Sequence, residues 1–122
     1  MIKEMIYKNE EIDFINLNES GIVAMAWTGD NETDFETIID WNGQENLKNE
    51  YDFLDIKTKI VFEFVTNLII QIDSKEFMGA LEIYDFSYLK RENNTYNITF
   101  RFELSQKGSI NLDCVGFSFI IY

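Results

Sequence analysis

Carboxylates are the side chains this sequence supplies most freely for chemistry. Nine of them lie between Asp30 and Asp55, opposed only by Lys48, so this stretch carries two-thirds of the net charge of -12. Such a cluster can dock a cationic partner, hold a cation, or do acid/base work. Docking needs nothing beyond a field of one sign, which steers encounter and raises association rates. Aromatic side chains beside the acids (Trp27, Trp41, Tyr51 and Phe53) are candidate anchors, since interface hot spots favour Trp and Tyr. The partner-binding candidates are Asp30, Glu32, Asp34, Glu36, Asp40, Glu45, Tyr51 and Asp52. The plainer reading of the same residues is a solvated acidic face that keeps the protein soluble.

The other two chemistries find little support. Asp30-Asn31-Glu32-Thr33-Asp34 begins like a calcium-binding loop. Phe35 stands where that loop needs glycine and Trp41 where it needs a bidentate glutamate, so no metal site is expected. Acid/base catalysis needs two carboxylates across a cleft, one with a raised pKa, and nothing in the sequence selects a pair. Histidine is absent, which removes the commonest general base and zinc ligand and every imidazole triad. The one cysteine, Cys114, lies in an alternating apolar stretch and reads as a small core residue; it excludes an internal disulfide or a thiolate cluster. The six glycines are scattered singly, with no phosphate-cradling loop. The expectation is a protein with no catalytic residues and no cofactor, not an enzyme.

At 122 residues, with 46% hydrophobic and 16% aromatic content, the chain is one domain able to bury a core. Its acidity argues against nucleic acid, whose phosphates need a basic patch. No run approaches the ~18 apolar residues of a membrane span, and the start lacks the apolar stretch of a secretion signal. A soluble cytoplasmic protein with no membrane partner is expected. Four Asn-x-Ser/Thr sequons, at Asn18, Asn31, Asn93 and Asn97, read as chance in an Asn-rich chain.

The elements that position these residues are strands, because apolar and polar residues alternate with period two. Tyr96, Ile98, Phe100, Phe102 and Leu104 share one face, and Asn97, Thr99, Arg101 and Glu103 the other. Phe35, Ile39 and Trp41 oppose Asp34, Glu36 and Asp40, with Asp30 and Glu32 extending the acidic parity. Ile60, Phe62, Phe64, Leu68, Ile70 and Ile72 keep one parity, with a bend allowed at Thr66-Asn67. In the last run Ile110, Leu112 and Cys114 lie opposite in parity to Phe117, Phe119 and Ile121, with Gly116 at the switch. A strand that bends between two sheets has this pattern.

Turn residues separate runs at 12–17, 22–28, 34–41, 60–72, 80–91, 95–104 and 109–121. Short loops make neighbouring strands antiparallel. One short helix is allowed near 44–52, and another turn around Ile2, Met5 and Ile6. The predicted fold is mostly β: a single antiparallel sandwich or partly open barrel of about seven strands. Eleven phenylalanines leave open a barrel that holds an apolar ligand. Tyr84, Phe86 and Tyr88 are either buried or shown to a partner, and the C-terminal strand is either central or pairs with a second copy as a homodimer.

The segments VFEFVTNLIIQI, LEIYDF, YNITFRFE and GSINLDC, within residues 33–115, resemble small, acidic, uncharacterised bacterial proteins of the toxin-immunity type. The resemblance implies a small acidic inhibitor whose basic partner is a toxin, neutralised by occlusion. It carries over no individual functional residue.

Overall fold

The computed structural model describes residues 5–43, 57–73, 79–103 and 107–122. Among the described residues, ten strands form two antiparallel sheets that face each other as an open β sandwich. In chain order they are β1 Met5–Lys8, β2 Gly21–Thr28, β3 Asp34–Asp40, β4 Thr58–Glu63, β5 Thr66–Asp73, β6 Leu81–Glu82, β7 Asp85–Lys90, β8 Tyr96–Phe102, β9 Lys107–Cys114 and β10 Gly116–Ile121. The larger sheet has the order β1-β10-β4-β3-β2-β6 and the smaller β5-β9-β8-β7.

Alternation builds this arrangement directly. On β8, Tyr96, Ile98, Phe100 and Phe102 are buried, and on β9 Ile110, Leu112 and Cys114. Across the gap, Phe35 and Ile39 of β3, Ile60 and Phe62 of β4, and Phe117, Phe119 and Ile121 of β10 complete the core. Rings cross between the sheets: Phe62 meets Phe100 edge-on at 6.0 Å, and Phe117 lies 5.3 Å from Tyr96. The two sheets do not close into a barrel, and these side chains occupy the space between them. Burial holds the Cys114 thiol up at about 12, so it stays a neutral core group.

Three of the long alternating runs are each two strands in different sheets, which is why the described residues hold ten strands where about seven are expected from the sequence. The run 60–72 breaks at Phe64-Val65, between β4 and β5, and the bend allowed at Thr66-Asn67 is there too: Asn67 stands at φ 54° and the β5–β9 register shifts between Thr66 and Ile69. The run 80–91 breaks at Ile83-Tyr84, between β6 and β7. The last run breaks at Val115, beside the predicted switch at Gly116. Phe86 and Tyr88 turn inward, onto Phe100 and Phe117 at 4.9 and 5.5 Å, while Tyr84 is exposed. The C-terminal strand is central, with β1 on one side and β4 on the other, so its edges are not open to a second copy.

Two expectations at the N-terminal end are corrected. The turn allowed at Ile2, Met5 and Ile6 is instead strand β1 from Met5, because Met5 and Tyr7 alternate inward with Ile6 and Lys8 outward. The strand expected over 12–17 is a 3-10 helix, Asn9–Phe14, in which Ile12 alone is buried. Polar contacts account for it. Asn9 accepts from the backbone N–H of Phe117 at 2.8 Å, Asp13 accepts from the Tyr88 hydroxyl at 2.8 Å, and Glu10 accepts from that of Tyr96. The helix allowed near 44–52 lies outside the described residues. Among the described residues no helix is long and apolar enough to cross a membrane.

These tyrosines give the fold a pH dependence. Burial first, and then the hydrogen bond to Asp13, push Tyr88 up to about 12; burial and Glu10 do the same for Tyr96. Folded values above the ordinary 10.0 mean the native state keeps protons that the unfolded chain releases. The contribution is therefore complete below pH 10 and is lost as pH rises from 10 through 12. Tyrosinate absorbance of the native protein should show two hydroxyls that ionise only near 12, with stability falling across the same window. Ionisation of both at 10 in the folded protein would contradict the link.

Candidate acidic and aromatic docking corner

Three chain corners meet at one end of the sandwich. The first is the β2–β3 turn, where Gly29 (φ 89°) and Glu32 (φ 56°) take left-handed backbone and the Glu32 N–H donates to the Gly29 carbonyl at 3.2 Å. The second is the passage from β4 to β5. There Phe64 is held at φ 51°, its N–H donates to Asp34 Oδ1 at 3.0 Å, and the Val65 N–H donates to the Thr33 carbonyl at 2.9 Å. The third is the passage from β9 to β10, where the Val115 N–H donates to the Glu63 carbonyl at 3.0 Å. Each corner is thus tied to its neighbour by backbone donors.

The apolar side chains here face solvent. Phe64 is 61% exposed, Trp27 48% and Val115 47%. Trp27 lies edge-on to Phe35 at 5.2 Å, which fixes its ring while leaving nearly half of it open. Asp34 and Glu63 adjoin Phe64, and Asp30 and Glu32 lie in the turn that follows Trp27 and Thr28. Among the described residues no Lys or Arg makes a salt bridge with any of these four. Asp34 has a structural duty as well, since it caps the Phe64 N–H.

The sequence candidates divide. Asp30, Glu32 and Asp34 come together here, although Asp30 and Glu32 lie in the turn rather than continuing the strand parity. Glu36 is outward-facing but pairs with Lys59 at 3.5 Å. Asp40 sits opposite Gly21 at the other end of β3, about 20 Å from Asp34 for six residues of strand, and so lies outside the corner. Trp41 is half-buried against Phe119 at 5.3 Å, its indole N–H donating to the Asn16 carbonyl. Glu45, Tyr51 and Asp52, like Phe53, lie outside the described residues. Glu63, Phe64 and Val115 were not among the candidates; the parity switch at Gly116 was the one sequence signal pointing to this place.

A contrasting polar cluster lies on the outer face of the smaller sheet. Asp113 is pushed up by burial, but hydrogen bonds from Asn97 and Asn67 and the Arg91 guanidinium at 2.8 Å outweigh that and hold it below the usual carboxylate range. Its partners are all internal, so it reads as a structural network. Among the described residues no three His, Cys, Asp or Glu side chains group as a metal site. Comparison of the chain with protein-family models, with curated proteins and with solved structures found no match.

The left-handed Phe64 yields a prediction. A bulky residue at positive φ costs about 1–2 kcal/mol, and an exposed ring recovers little by burial. Phe64→Asn keeps the N–H donor to Asp34 and places a residue that tolerates this backbone. The variant should unfold at equal or higher denaturant, by up to about 1 kcal/mol. A loss of more than that in urea unfolding would mean the ring is part of the fold rather than a surface group.

Proposed function

We propose that the protein is a non-enzymatic, cytoplasmic protein-binding domain that inhibits a basic partner by occluding it, in the manner of an immunity protein. One observation carries this reading: exposed Trp27, Phe64 and Val115 are framed by carboxylates without salt bridges among the described residues. Aromatic anchors with a charged surround are the usual anatomy of a hot spot. The carboxylates repel one another in the free protein, and a cationic surface relieves that repulsion. A toxin that acts on nucleic acid presents such a surface, because it must attract phosphates.

The test is kinetic. Asp30, Glu32 and Glu63 have no side-chain hydrogen bond among those described, so Asp30→Lys, Glu32→Lys and Glu63→Lys together should leave the fold intact. Association with the basic partner at low salt should slow by about tenfold or more, with a smaller change in dissociation. An unchanged association rate would overturn the assignment of this surface.

A further inference from the structure

The sandwich has described strands at its edges, and they differ in charge. β1 carries Lys8, the two-residue β6 carries Glu82, β5 carries Asp73, and β7 carries Asp85 and Lys90. β2 (GIVAMAWT) has no charged residue in eight positions. β6 covers only Gly21 and Ile22 of it. Val23 is a bulge in the pairing with β3, which breaks the ladder at that point. Beyond it, from Ala24 to Thr28, the register with β3 is regular, no described strand pairs with the outer side of β2, and Trp27 is 48% exposed. Natural edge strands are ordinarily blunted by charge or proline, and an uncharged one is a template for another strand.

The side chains beside this edge say what kind of strand fits. Ala24, Ala26 and Thr28 pair with Ile38, Glu36 and Asp34 and share their outward face. Met25 and Trp27 pair with Thr37 and Phe35 on the inner face. An added strand would lie about 5 Å from β2 and about 10 Å from β3. The small residues on β2 leave a path across it, so long cationic side chains can reach the carboxylates of Glu36 and Asp34. Each carboxylate has a second oxygen besides the one bonded to Lys59 or to the Phe64 N–H. The inner positions of the added strand would meet Met25 and Trp27 and prefer apolar side chains.

We propose that the β2 edge from Ala24 to Thr28 receives an extended segment of the basic partner as an added strand, alternating cationic and apolar residues. This rests on the docking function proposed above and names its binding mode. Main-chain hydrogen bonds give the attachment, and the alternation gives the selectivity. A second copy of this chain is disfavoured at the same edge, because each copy brings a net charge of -12.

The probe is a capped octapeptide alternating Lys and Val, compared with two versions N-methylated on either all lysines or all valines. A strand pairs through alternate N–H groups only, so one methylated version should bind at least about tenfold more weakly and the other far less so. Amide hydrogen exchange should slow across Ala24–Thr28 when the parent peptide binds, and high salt should release it. Equal binding of both methylated peptides, with protection only at 30–34, 63–65 and 115, overturns strand addition and leaves the docking corner standing. No binding of any peptide at low salt overturns both. Concentration-dependent dimers with the same amides protected in the absence of peptide assign the edge to a second copy instead.

Discussion

Phe62→Ala lowers the unfolding free energy by about 3–5 kcal/mol, the range for removing a buried ring. Phe62 is fully buried on β4, the strand between β3 and β10. Its Cα partners are Phe35 on one side and Phe117 on the other, and its ring meets Phe100 of the opposite sheet at 6.0 Å. The site therefore couples both sheets. Alanine there leaves a void walled by rings on several strands, and pleated backbone cannot collapse into it. Domains of this size have about 5–15 kcal/mol in total, so the variant should be near its limit at 37 °C. Urea unfolding of Phe62→Leu and Phe62→Ala should show a small and a large shift of the midpoint. A loss under about 1 kcal/mol for alanine would mean that the core repacks freely.

Gly108→Ala has the second large effect, and its cause is backbone rather than packing. Gly108 lies on β9 at φ 137°, a conformation that side chains avoid. A Cβ built there would stand 1.8 Å from the Gln71 carbonyl oxygen and 2.9 Å from the Ile72 Cα, both backbone atoms of β5. Neither can rotate away as a side chain would. The strand pair must open, so the expected loss is about 1–3 kcal/mol from strain together with the β5–β9 hydrogen bonds near that end. Amide exchange localises it: protection should fall along Ile69–Asp73 while β8 stays protected. Full protection of β5 in the variant would contradict the geometry.

The sheets were legible in the sequence because half-buried strands alternate with period two, and β3, β8 and β9 do so cleanly. The change of sheet at Val115 was legible as well, since parity inverts there and Gly116 follows. The change at Phe64 was not. Apolar parity runs on from Phe62 through Phe64 to Leu68, so an exposed left-handed Phe64 looks like one more core residue. The 3-10 helix was hidden for a related reason, since Ile12 and polar neighbours fit a short strand equally well and the deciding contacts come from Tyr88, Tyr96 and Phe117, far along the chain. The acidic surface was half legible. Asp30, Glu32 and Asp34 were visible as neighbours in sequence, but Glu63 and Val115 join them only through the pairing of β3, β4 and β10. Asp40 shares their composition and not their place.

The most direct test of the account is paired capture from lysate of the source cells, using the native chain and the Asp30→Lys, Glu32→Lys, Glu63→Lys variant side by side. Proteins should be loaded at low salt, eluted by a salt gradient and identified by mass. The account predicts a basic protein that the native chain retains, that salt releases, and that the variant fails to hold. The same proteins retained equally by both chains, or a retained partner of acidic character that salt does not release, would contradict it.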